Sequence, residues 1–128
     1  MLFKCGLVFI ALVTSACSKP SMQEISRITS PDSTVDAVLI ERGVGATVAT
    51  PSEIYIVPKG EPVSGEPLLR GDHMDKLTMT WKPSRLLDIG YAKGRIFSFR
   101  NFWESAEVQN WTYIVELKLT KIVDRARI

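Results

Sequence analysis

The chain has 128 residues, a formal net charge of +2 and 45% hydrophobic residues, enough for one domain with a packed core. Basic and acidic residues nearly balance, 16 against 14, which argues against nucleic acid, a partner that needs a concentrated basic surface. Both cysteines, Cys5 and Cys17, lie near the N-terminus and leave the rest of the chain without a disulfide staple.

The first predicted element is an export signal over residues 1–16. Lys4 supplies a positive start, residues 5–18 form an uncharged run of 14, and Thr14-Ser15-Ala16 are small. A basic start, an apolar middle and a small-residue exit make a secretory signal. A bilayer-spanning helix needs about 20 apolar residues, so a permanent transmembrane anchor is the weaker reading. Thr14-Ser15-Ala16-Cys17 resembles the lipobox of bacterial lipoproteins, with Thr14 where Leu or Val is commoner. The resemblance implies cleavage before Cys17, a diacylglycerol thioether on its sulfur, and the lipid bilayer as a partner. A single acyl chain binds membranes marginally, so two or three chains make such an anchor stable. Ser18 replaces the Asp that favours inner-membrane retention in enterobacterial lipoproteins, which implies the outer membrane, facing the periplasm. Cleavage would leave 112 residues, 128 less the 16 of the signal, and would remove one charge, Lys4.

Residues 17–24 are polar and aperiodic and read as a tether of at most about 25 Å beyond the lipidated cysteine. From residue 25 the dominant period is two, the strand period. Residues 25–30 form a short strand, and Pro31-Asp32-Ser33-Thr34 a turn. Residues 35–42 are apolar at nearly every step, which predicts a strand covered on both faces. Residues 43–51 form a loop of small residues, 52–58 a third strand, and 59–67, with two Gly and two Pro, a wide turn. Leu68 and Leu69 make an apolar patch before Gly71. In residues 76–82, Leu77, Met79 and Trp81 face one way, and Leu87, Ile89 and Tyr91 continue one face of the next strand. Lys93-Gly94 fits a two-residue hairpin turn. Residues 95–102 alternate again, 104–107 suit a hairpin or one helical turn, and 111–120 alternate most cleanly. The expected fold is all-β: an antiparallel meander of about seven strands over residues 25–128, as a curled sheet, a barrel or a small sandwich.

Two further resemblances concern this domain. Ser30-Pro31-Asp32, Ile54-Tyr55-Ile56-Val57 and Trp81-Lys82-Pro83-Ser84 are similar to the blade repeat of periplasmic β-propellers. The second copy lacks the Asp and Gly of that repeat, and two blades do not close a propeller, so the likeness implies shared turn chemistry only. Ser30-Pro31-Asp32, Asp36-Ala37-Val38, Gly45-Ala46-Thr47, residues 56–60 and residues 95–103 resemble an uncharacterised group of short bacterial lipoproteins. Ser33 stands where that group tends to have Gly, and Val44 where it has the first Gly of a Gly-Gly-Ala-Thr loop. The group implies localisation and compactness, and no activity.

Candidate chemistry is sparse. His73, the only histidine, lies between Asp72 and Asp75, but a metal site wants ligands converging from at least two elements, so a solvated turn is the expectation. No Gly-x-Ser-x-Gly elbow is present, and no helix follows Gly43-Val44-Gly45-Ala46 to cradle a phosphate. No catalytic set, metal or cofactor is expected. Phe97, Phe99, Trp111 and Tyr113 are expected as cross-strand core pairs. Phe102 and Trp103, beside a turn and near Arg95 and Arg100, are the candidate partner-binding residues, able to stack on a glycan or grip an envelope protein. The leading expectation is therefore a non-catalytic binding or structural module. An inhibitor that inserts loop 43–51 into an envelope-degrading enzyme is the alternative, and a hydrolase using His73 comes third.

Overall fold

A computed structural model describes residues 21–43 and 50–123. The signal, Cys17 and most of the loop 43–51 lie outside the described residues. Among the described residues nine strands form two sheets: β1 (Ser21–Thr29), β2 (Val35–Gly43), β3 (Ser52–Pro58), β4 (Leu69–Asp75) and β7 (Lys93–Phe99) in one, and β5 (Thr78–Lys82), β6 (Leu86–Tyr91), β9 (Val115–Lys121) and β8 (Phe102–Trp103) in the other, each in that spatial order. Among the described residues there is no α-helix, and none long and apolar enough to cross a membrane. The all-β expectation holds.

One hydrophobic core joins the sheets, with Val35, Ala37, Leu39, Ile54, Ile56 and Leu69 from the first against Met79, Leu87, Ile89, Val115 and Leu117 from the second. The fold is thus a sandwich. Opposite-side residues of β2 and β3 make a second cluster, Val38, Ile40, Tyr55 and Val57, onto which Val63 of the wide turn packs. This is why β2 is apolar at nearly every step: both of its faces are covered.

Polar groups on that second face are paired rather than solvated. Asp36 accepts from Thr29 Oγ1 at 2.6 Å, Arg27 Nη1 at 3.0 Å and the Gly60 amide at 3.0 Å. Burial alone would raise its pKa, but these donors outweigh burial and hold it below the usual carboxylate range. Glu53 accepts from Arg42 Nε at 2.8 Å and from the Tyr55 hydroxyl.

Several expectations need correction. The meander holds only from β1 to β4. The chain then makes the β5–β6 hairpin in the second sheet, returns to place β7 beside β4, and ends with β9 parallel to β6. Lys93-Gly94 is therefore no hairpin turn. It starts β7 just after the chain has changed sheets at Ala92, whose amide bonds the Asp75 carbonyl at 2.9 Å. Gly94 has φ +152°, and a Cβ there would lie 2.3 Å from Met74 Sδ. The strand count is nine, not about seven, because β4 and β8 were not foreseen. β1 begins at Ser21, so residues 21–24 of the expected tether pair with β2, Ser21 opposite Gly43.

The 31–34 turn is confirmed. Ser33 has φ +59°, a conformation that favours glycine.

Candidate functional site

The expected partner-binding residues sit where the sandwich is open. β7 is the last strand of its sheet. Phe99 stands opposite the buried Leu69, hence on the core-facing side, yet no strand of the second sheet closes over it. Phe99 is 36% exposed and Phe97 58%. Both were expected in the core, and their exposure corrects that expectation. Trp111 is a third correction: it lies in a 3₁₀ turn, Gln109–Trp111, outside β9, and is 54% exposed. Tyr113 is fully buried as expected.

Arg100 stacks on Phe102, its guanidinium carbon 4.5 Å from the ring centroid. Arg95 lies 6.0 Å from the Phe97 ring and forks onto Asp72 through Nε at 2.8 Å and Nη2 at 2.6 Å. The Arg95 fork, helped by His73, lowers the Asp72 pKa to about 2. Phe102 pairs Glu116 and so faces away from the core, whereas Trp103 pairs the buried Val115 and packs onto the core. The structure therefore brings Arg100 and Phe102 together, places Arg95 on Phe97, and sends Trp103 to the other side of its strand.

Phe99, Phe102, Leu117 and Leu119 line a shallow groove of about 690 Å³. Asn101, Glu116 and Lys118 also line it, and Arg100 and Lys121, next to lining residues along the chain or at the end of β9, are exposed. Guanidinium over an aromatic face and accessible apolar surface are contact chemistry; the groove walls offer no nucleophile with a base. Trp103 and Trp111 line a separate groove of about 430 Å³ that includes Glu66, Glu104 and Glu107.

A third cavity, of about 340 Å³, brings two turns together: Ser30, Pro31 and Asp32 from one, Pro83, Ser84 and Arg85 from the other, over Tyr113. The Tyr113 hydroxyl donates to the Asp32 carboxylate at 2.6 Å and Ser30 Oγ donates at 2.6 Å. Arg85 lies over the Tyr113 ring at 4.0 Å, with its Nε 3.7 Å from Asp32. Ser30, then Tyr113, hold the Asp32 pKa below its ordinary value. Burial and the nearby carboxylate push the Tyr113 phenol up. Both carboxylate oxygens accept from within the protein, so this constellation works as a latch that fastens the β1–β2 turn to the start of β9.

His73 is exposed, with Nδ1 3.1 Å from Asp72. It lines none of these three cavities, and Asp72 is engaged by Arg95. Among the described residues no three His, Cys, Asp or Glu side chains cluster as a metal site would need. Sequence reasoning missed Phe99 and Leu119 as groove residues, and Phe97 as an exposed one, because alternation marks a face and not whether a second sheet covers it. The one available signal was charge: Arg95 and Arg100 bracket the Phe97–Phe99 pair, as suits an edge. A scan of family models and searches of curated proteins and of solved structures returned no match.

Proposed function

We propose that this chain is a non-catalytic binding module of the bacterial envelope, anchored through lipidated Cys17 to the outer membrane and facing the periplasm. Its interface is the open side of the sandwich, and its partner is an envelope protein or glycan. The observation that carries the reading is the groove that the exposed Phe99 and Phe102 line together, with Arg100 stacked on Phe102. Aromatic and arginine side chains dominate recognition surfaces because they bury much area with little rotamer entropy. The lipobox-like Thr14-Ser15-Ala16-Cys17 supports the anchor.

Mass spectrometry of the mature N-terminus tests the anchor, with an acylated Cys17 expected and an intact Met1 or free thiol against it. Photocrosslinking in intact envelopes from position 98 tests the interface. A discrete adduct that Phe102→Ala together with Arg100→Ala abolishes, while the urea midpoint is unchanged, is the expected result. An adduct indifferent to that double substitution refutes the interface.

A further inference from the structure

Strand β9 is paired along one side by β6 over residues 116–121, but on the other side β8 pairs only Val115 and Glu116. Successive amides of a strand point to opposite sides. Glu116 N–H goes to the Arg85 carbonyl at 3.0 Å and Ile122 N–H to the Tyr91 carbonyl at 2.7 Å, so the even-numbered amides face β6. Odd-numbered ones face away. Leu117 N–H is taken by the Asn101 carbonyl at 2.8 Å. The N–H groups of Leu119 and Lys121, and the carbonyls of Leu117 and Leu119, have no backbone partner among the described residues. This row of donors and acceptors runs beside the groove lined by Phe99, Phe102, Leu117 and Leu119.

Unpaired backbone beside an apolar wall is a template for an added strand, which supplies main-chain hydrogen bonds and side chains for the wall. Charge selects the occupant. Lys118 lies in the wall with Glu116, Arg100 adjoins the lining residues Phe99 and Asn101 in sequence, and Lys121 ends β9. Asp88, opposite Lys118 on β6, is already paired with Lys82 at 3.1 Å. A second copy of this strand would bring its own Lys118 and Lys121, and edge lysines are a common device against self-pairing. Resting on the interface proposed above, we infer that β9 takes up an extended acidic peptide segment of a protein partner as an extra strand along residues 117–121.

The test uses the full chain and a nine-residue peptide alternating valine and glutamate. Controls are the same peptide with lysine for glutamate, and the same peptide N-methylated on alternate residues so that it cannot pair. Only the unmethylated acidic peptide should bind, and it should slow amide exchange at Leu119 and Lys121. Lys121→Pro removes one outward donor, a change that edge strands tolerate, and should weaken binding about tenfold. Lys118→Glu should weaken it similarly. Equal binding of the methylated or the lysine peptide, or unchanged exchange at Leu119, overturns the inference, and those two readouts need no variant to fold. If Phe102→Ala with Arg100→Ala abolishes the envelope adduct while the peptide results fail, strand addition is wrong and the interface stands. If the peptide results hold but the adduct ignores that double substitution, the interface reading is the one that fails.

Discussion

Tyr113→Phe isolates the latch between the β1–β2 turn and the start of β9. The ring is fully buried and Phe keeps its shape, so the substitution removes one hydroxyl that donates to Asp32 at 2.6 Å and leaves the core packing intact. A hydrogen bond to a charged acceptor contributes about 1.5–3 kcal/mol. The Asp32 side chain is 40% exposed, so water competes for the carboxylate, and a loss of about 1–2 kcal/mol is expected. In a domain of this size that lowers the melting temperature by about 4–8 °C per kcal/mol. The loss should depend on pH, with a definite sign. Asp32 has a folded pKa held below that of an ordinary carboxylate, so its stabilisation is present above the ordinary value and fades as pH falls through the lowered one. Urea unfolding of wild type and variant at neutral pH, and through a descending acid series, measures both quantities. The stability gap should be widest at neutral pH and shrink as acid protonates the carboxyl. A gap under about 0.3 kcal/mol at neutral pH, or one unchanged through the acid series, refutes the latch.

Two further predictions concern the polar face of β2 and the exposed aromatics. Asp36→Ala leaves Arg27, Thr29 Oγ1 and the Gly60 amide without their shared acceptor, and should cost about 3–5 kcal/mol in the same urea assay. A loss under about 1 kcal/mol would mean that the buried donors find water instead. Phe97→Ser should change stability by no more than about 0.5 kcal/mol, because the side chain is largely in solvent. A loss of about 3 kcal/mol or more, the usual cost of truncating a core Phe, would return Phe97 to the core.

What the sequence determined by itself is local. Period-two alternation over 52–58 and 76–82, and the doubly apolar 35–42 segment, follow from the geometry of a strand, whose side chains alternate whatever it pairs with. The turn at 31–34 was equally legible, since Pro31 and Asp32 act on their own backbone. The expected export signal and the lipidation of Cys17 are readings of the sequence alone, and those residues lie outside the described ones.

Partner choice was decided only by the tertiary structure. Nothing in Leu86–Tyr91 or Val115–Lys121 announces that they lie parallel and adjacent, because each strand's pattern is satisfied by any neighbour that covers its apolar face. β4 escaped notice because Gly71, Asp72 and His73 break its pattern, and Asp72 can be held there only because Arg95, from a strand far along the chain, neutralises it. The groove has the same origin. Phe97 and Phe99 carry the alternation of core residues, and their exposure arises because β7 ends one sheet where the other does not reach. Burial belongs to the assembled pair of sheets, and the order of residues along one strand does not contain it.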